Sequence, residues 1–321
     1  MSRADRAVVD LRADGVRRLL AGIDVGGTTT TVIVATPDLV ILDRADVPTP
    51  AHEGGAAIVA AALAALQVLL DRVGDGVLVG VGVGAAGVVD SASGEVLVTG
   101  DSFTGWAGFA VTAAIEAALG VPATLDNDVN AFLRGEVSAG AVVGEPDVLG
   151  MTLGTGVGGA LLLGGVLFDG PHGAAGEIGH VPGFGDARCT CGQTGHLETV
   201  ASARGIVARY ADRTGRVLPA HEVAAAAESG DADARAVFDA AGAGIARAIL
   251  LTAGILDVTT VVIGGGVTRG WSLLEPAIRA ALDAEPPVSG ATIRVERALL
   301  GADVVALGAA SRLAVAATPP V

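Results

Sequence analysis

Between Gly176 and Glu198 the sequence reads GEIGHVPGFGDARCTCGQTGHLE. It holds two thiols (Cys189, Cys191), two imidazoles (His180, His196) and two carboxylates (Glu177, Glu198). These side-chain types ligate metals and move protons, and here they crowd one short segment of a chain rich in alanine, glycine and valine. The two cysteines are the only ones, at CxC spacing. That is no disulfide framework, and a reducing cytoplasm is the expected compartment.

A second polar group, LDNDVNAF from Leu125 to Phe132, places Asp126, Asn127, Asp128 and Asn130 where a strand gives way to a helix. Helix capping explains one of them comfortably, but not all four together. If the helix start faces a ligand, Asp128 can accept the proton of a substrate hydroxyl, as phosphoryl transfer requires, and Asn127 can bind a neighbouring hydroxyl. Three turns, Gly26-Gly27-Thr28, Gly154-Thr155-Gly156 and Gly264-Gly265-Gly266, each follow an apolar run. Glycine lets backbone N–H groups approach a ligand and form an anion-binding concavity, and threonine adds a hydroxyl. None is a Walker A loop or a clean GxGxxG, and each taken singly reads more readily as a tight turn. Asp24 stands in an apolar strand just before the first turn. A Mg²⁺–phosphate complex would give it a reason; so would satisfaction by the N–H groups of the turn.

The elements that must position these groups alternate between strand and helix. Leu19–Thr36 reads strand, glycine turn, strand, with another strand near Val40–Val47 and a helix over Gly54–Val73. Val77–Val89 is an apolar strand, Trp106–Leu119 a helix, Pro122–Leu125 a short strand, and a helix follows to about Gly140. The pattern then restarts: MTLGTGVGGALLL parallels GIDVGGTTTTVIV, which suggests a duplication. Helices are expected near 202–214, 220–228, 231–256 and 271–283, strands at 258–267 and 292–295, and a last helix from about 304. This is an α/β pattern.

The chain has 321 residues, about half of them hydrophobic, and a formal charge of −15. Such a surface repels phosphate backbones and anionic membranes, so nucleic acid and lipid are not expected partners. Gly150–Phe168 is long enough to span a bilayer, but its glycines and missing flanking anchors assign it to buried β structure. The N-terminal twenty residues carry charge throughout and have no signal core.

In this order and spacing, DVGGT (24–28), LDNDVNA (125–131), LGTGVGG (153–159), GEIGH followed by CxCGxxG and LE, and IGGGV (263–267) resemble the ROK (repressor, open reading frame, kinase) family of bacterial sugar kinases. The resemblance runs from about Leu20 to the C-terminal helix. It implies an actin-like (ribonuclease H-like) two-lobed fold with an interlobe cleft. The expected organisation is an extension over 1–18, a small lobe of 19–125 plus about 303–321, and a large lobe of 126–302 carrying the metal loop.

By this resemblance ATP with Mg²⁺ phosphorylates a sugar hydroxyl, usually O6, with Asp128 as general base. Asp24, Gly26, Gly27, Thr28, Gly154, Thr155 and Gly156 face the phosphates, and Gly264, Gly265 and Gly266 the adenosine side. Ser102, Asn127, Glu177, His180 and Glu198 touch the sugar. A structural zinc is implied at His180, Cys189, Cys191 and His196, the last standing where the family usually has cysteine; two imidazoles and two thiolates still make a good tetrahedral set. Thr29 stands where the first motif often has lysine, and Ser102 where an asparagine is common.

The short side chain at 102 and the LDND segment direct the expected acceptor to N-acetylglucosamine, with glucose as the alternative. A homo-oligomer, dimer or tetramer, is also implied. A ROK-type repressor is disfavoured, because fewer than about twenty residues precede the first strand and the charge opposes DNA. A non-catalytic sugar-binding protein is disfavoured by Asp24 and Asp128.

Overall fold

The computed structural model of the chain describes residues 16–100 and 102–314. The first elements are β1 (Arg18–Val25), β2 (Thr29–Ala35), β3 (Ile41–Pro48), α1 (Gly55–Val73), β4 (Val77–Ala85), β5 (Val88–Asp90) and β6 (Glu95–Val98). Then come α2 (Val111–Leu119), β7 (Ala123–Asn127), α3 (Asp128–Ala139), β8 (Val148–Leu153), β9 (Val157–Leu163) and β10 (Val166–Leu167). The remainder is largely helical: α4 (Glu198–Ala201), α5 (Ala203–Thr214), α6 (Ala220–Glu228), α7 (Ala232–Leu256), β11 (Thr260–Gly264), α8 (Trp271–Ala284), β12 (Arg294–Arg297) and α9 (Val304–Ala314).

Two compact units result. One takes the chain up to Gly144, Pro171–Gly173 and the chain from Leu300 onward; the other takes Glu145–Gly170 and Ala174–Leu299. The division falls after α3 rather than at residue 126, because α3 packs on α9, β4 and β7. Most of the extension expected over 1–18 lies outside the described residues, and Arg18 already belongs to β1. Each unit holds a five-stranded sheet, in the orders β3-β2-β1-β4-β7 and β10-β9-β8-β11-β12. In both, the first strand pairs antiparallel with the second and parallel with the fourth in line. The shared order is what the repeated strand–turn–strand pattern at Gly22 and Met151 suggested.

In the first unit the alternation VLVGVGVG on β4 serves two faces of the sheet. Val81 and Val83 join Ile23 and Val25 in a core with Ile58, Leu66 and Leu69 of α1 and Ile115 of α2. The glycines face α9. A Cβ on Gly22 would run into the carbonyl oxygen of Ala306, and one on Gly82 into that of Ala309. Glycine therefore lets α9 lie directly on the strands. Where the chain leaves and re-enters this unit, one fully buried carboxylate holds both points: Glu136 accepts from the Ala141 N–H (2.7 Å) and the Leu300 N–H (3.0 Å).

In the second unit, β8 and β11 bury Leu149, Met151, Val261 and Ile263 beneath α5, α7 and α8, whose Tyr210, Ile245, Ile249 and Ile278 complete the core. Gly150–Phe168 forms β8 to β10, as its glycines implied. Helices α1 and α7 are long and apolar enough to cross a membrane. Both instead pack within their units, α1 on β2, β3 and α2, and α7 on α4, α5, α6 and α8.

The glycine pattern yields a paired expectation. Gly82→Ala should destabilise the protein by roughly 2 kcal/mol or more through overpacking. Gly254→Ala, on an exposed part of α7 where a Cβ meets nothing, should raise stability by a few tenths of a kcal/mol. Thermal midpoints that move in the opposite order would refute the packing of α9 on the glycine face.

Candidate active site and metal centre

The first unit gathers its chemistry at the carboxyl ends of β1, β4 and β7. Asp24, Gly84 and Asp126 lie side by side in register, and Val25, Ala85 and Asn127 follow. Asp126 is 4% exposed and bonded to Arg134 (3.1 Å) and Arg312 (2.6 Å). It is an anchor for α3 and α9. Asn127 caps α3: its Oδ1 accepts from the N–H groups of Val129 (2.8 Å) and Asn130 (3.2 Å), and its Nδ2 donates to Gly87 O (2.8 Å). One amide N–H is left over from these three bonds for a ligand. Asp128 opens α3, half-buried, and its Oδ1 also accepts from the Val129 N–H (3.0 Å).

Asp24 faces two further acids. Burial first, then the charges of Asp128 and Asp46, push its carboxyl from 3.8 up to about 7. Among the described residues no basic side chain pairs with it. A proton relieves the crowding, and so would a divalent cation. Asp46 was invisible in the sequence; its one signal is register, opposite Thr31, whose hydroxyl donates to it at 2.8 Å.

The turn Gly26-Gly27-Thr28 is closed by the Gly26 N–H bonding to Thr29 O (3.1 Å). Ser102 lies against it, its Cβ 3.5 Å from where a Gly27 Cβ would stand. The helix expected from Trp106 begins only at Val111. Before it, Trp106 is stacked between Phe103 (6.1 Å) and Phe109 (5.9 Å), and the Thr104 N–H and Gly105 O bond to Ala51 and Gly55. Gly105 and Gly108 take positive φ there, which holds the chain out of a helix.

In the second unit the two glycine turns adjoin. Gly265 (φ 91°) lies so close to the backbone of Leu153 that no Cβ fits, and the Ala203 N–H bonds to Gly154 O (2.9 Å). Thr155 is exposed at the turn. Glu198, 9% exposed, connects this turn to the cysteine segment: its Oε2 accepts from the Val157 N–H (3.1 Å) and its Oε1 from the Thr190 hydroxyl (2.8 Å). A Cβ on Gly156 would collide with the same carboxylate.

The ligating atoms of His180, Cys189, Cys191 and His196 all lie within 4.8 Å of one another. Nδ1 of His180 is 3.4 Å from Nδ1 of His196 and 3.7 Å from Cys189 Sγ, and Cys191 Sγ is 3.3 Å from Nδ1 of His196. Around a tetrahedral zinc with bonds of about 2.0 Å to nitrogen and about 2.3 Å to sulfur, ligand atoms stand about 3.3–3.8 Å apart, so this donor set fits the metal. The segment doubles back on itself, with Pro182 bridged to His196 and Arg188 to Thr194. Arg247 of α7 fastens it by donating to Gly183 O (2.8 Å) and lying over the Phe184 ring. His180 turns Nδ1 inward, and its Nε2 lies 3.9 Å from the exposed Glu177.

The ROK family model matches residues 20–314. A glucokinase from Halalkalibacterium halodurans is 36% identical over 314 residues, covering 91% of this chain and 93% of its own. An N-acetylmannosamine kinase from Shigella boydii is 31% identical over 314 residues, covering 89% and 97%. Among solved structures, a ROK glucokinase from Streptomyces griseus in complex with glucose and AMPPNP is 29% identical, covers 92% of this chain and 98% of its own, and superposes with a TM-score of 0.77. The chain belongs to the ROK family: it is a sugar kinase with the actin-like ATPase fold.

The raised Asp24 carboxyl gives a signed pH dependence. The folded state holds this proton more tightly than the unfolded chain does. The stability it contributes is full below pH 3.8, declines as pH rises, and is lost above about 7. Asp24→Asn should therefore melt a few degrees above the parent at pH 8 without added divalent cation, and the gain should vanish near pH 4. A pH-independent difference would show that Asp24 is not crowded.

Proposed function

We propose that this sugar kinase transfers the γ-phosphoryl group of ATP to the 6-hydroxyl of glucose, with Asp128 as general base. The supporting observation is the β7–α3 junction, where Asp128 opens a helix fixed by Asp126 and its two arginines and its charge bears on Asp24. As the bond from O6 to the γ-phosphorus forms and the bond to the β,γ-bridging oxygen breaks, Asp128 takes the O6 proton and ADP leaves. Asp24 would hold Mg²⁺, directly or through water, and the ion would offset charge on the phosphates. N–H groups of Gly26-Gly27-Thr28 and Gly154-Thr155-Gly156, with the two threonine hydroxyls, bind the phosphates; Gly264–Gly266 takes the adenosine side. Asn127, Ser102, Glu177, His180 and Glu198 contact the sugar.

His180, Cys189, Cys191 and His196 hold a structural zinc through Nδ1 and sulfur, which leaves Nε2 of His180 for a sugar hydroxyl. Glucose is favoured because the glucokinase relative is more similar than the N-acetylmannosamine kinase. N-acetylglucosamine is the second reading and rests on the short side chain of Ser102. A cytoplasmic homo-oligomer without nucleic-acid or membrane partners completes the proposal.

ADP release measured across glucose, N-acetylglucosamine, N-acetylmannosamine, mannose and fructose should give the highest kcat/KM with glucose. Asp128→Asn should lower kcat by about a thousandfold or more while calorimetric glucose affinity stays near that of the parent; undiminished turnover would end the general-base role. Metal analysis should find one zinc per chain, lost in His196→Ala, with a lower melting temperature and weaker glucose binding. A metal-free parent would refute the zinc site.

A further inference from the structure

We propose that Thr190, the residue between the two thiols, is a positioning residue for Glu198. It would set the carboxylate that faces the sugar, by a hydrogen bond separate from metal ligation. The proposal rests on the reading of Glu198 as a sugar contact.

A glutamate side chain has three rotatable bonds, and a buried carboxylate needs partners for both oxygens. For Glu198 neither partner is a cation: among the described residues it forms no ion pair. Its Oε2 is held by the Val157 N–H (3.1 Å), at the end of the Gly154-Thr155-Gly156 turn. Its Oε1 is held by the Thr190 hydroxyl (2.8 Å), with Cys189 Sγ at 3.9 Å. The side chain is thus fixed at two points, one on each of two loops. The remaining carboxylate lone pairs are aimed by the same two bonds.

Without the hydroxyl, Oε1 is left beside a sulfur atom. A thiolate there repels it, and a thiol is a weak donor at that distance. The carboxylate then swings, and a ligand must restore its orientation on binding. Valine keeps the branched shape of threonine and removes only the donor. Thr190 itself is exposed, so the exchange opens no cavity in the core.

The experiment is glucose binding and turnover for Thr190→Val, Thr190→Ser, Glu198→Gln and the Thr190→Val/Glu198→Gln double variant, with metal content and melting temperature measured on each. Thr190→Val should weaken glucose affinity about tenfold, the effect of one hydrogen bond to a charged group, with kcat changed less than about threefold. Thr190→Ser should stay within about twofold of the parent, because it keeps the donor. The double variant should bind no worse than Glu198→Gln alone, since Thr190 acts through Glu198. Metal content should equal that of the parent throughout. Parent-like affinity in Thr190→Val, with Glu198→Gln impaired, would overturn the role of Thr190 and leave the sugar contact standing. Parent-like affinity in both would overturn the sugar contact itself. Loss of metal in Thr190→Val would overturn the positioning role by tracing the effect to the loop.

Discussion

Asp126 is the charge on which the first unit depends. A carboxylate that deep in a sheet is tolerable only when compensated, and removing one member of such a set leaves an uncompensated ion. Here compensation comes from two guanidinium groups on different helices, Arg134 of α3 and Arg312 of α9. The triad fixes both helices to the end of β7, and Arg312 also donates to Leu125 O (2.8 Å). Asn127 and Asp128 are the next two residues. Their placement follows from a strand that ends at a clamped acid and a helix that must start immediately after it.

Much of this was readable from the sequence because it is local. Glycine turns announce themselves by composition, and strand–helix alternation by apolar period. The cysteines and histidines stand out by type and spacing, and the fold brings the ligating atoms of His180, Cys189, Cys191 and His196 within 4.8 Å of one another. What escaped is set by distant partners. The four polar residues at the β7–α3 junction could not be apportioned from sequence, because one of the two arginines that claim Asp126 lies 186 positions away. Asp46 joins Asp24 only through strand register. The late start of α2 follows from an aromatic stack over Phe103, Trp106 and Phe109, which wins over helix propensity along the same residues.

The second unit reaches a comparable end by another route. Its sheet has the same order and strand directions, yet no charged residue occupies the strand position that Asp24 takes in the first; Thr152 and Gly264 pair there instead. Acidic character enters through Glu198, from a helix start, and it is bound by a backbone N–H and a hydroxyl rather than by arginine. One backbone plan thus serves two chemistries. The first unit crowds its carboxylates around Asp24, and the second presents glycine turns and a loop that gathers two thiols and two imidazoles.

The Glu136 clasp has a consequence for the order in which the polypeptide matures during synthesis. Its two backbone partners, Ala141 and Leu300, belong to one unit but emerge from the ribosome far apart, and α9, which covers the glycine face of β1 and β4, emerges later still. The first unit must therefore wait, with one side of its sheet uncovered, while the whole of the second is translated. The second unit is almost continuous in sequence and can fold in that interval. The unit that begins first is thus completed last, and until α9 arrives the glycine face of its sheet has no cover from its own chain.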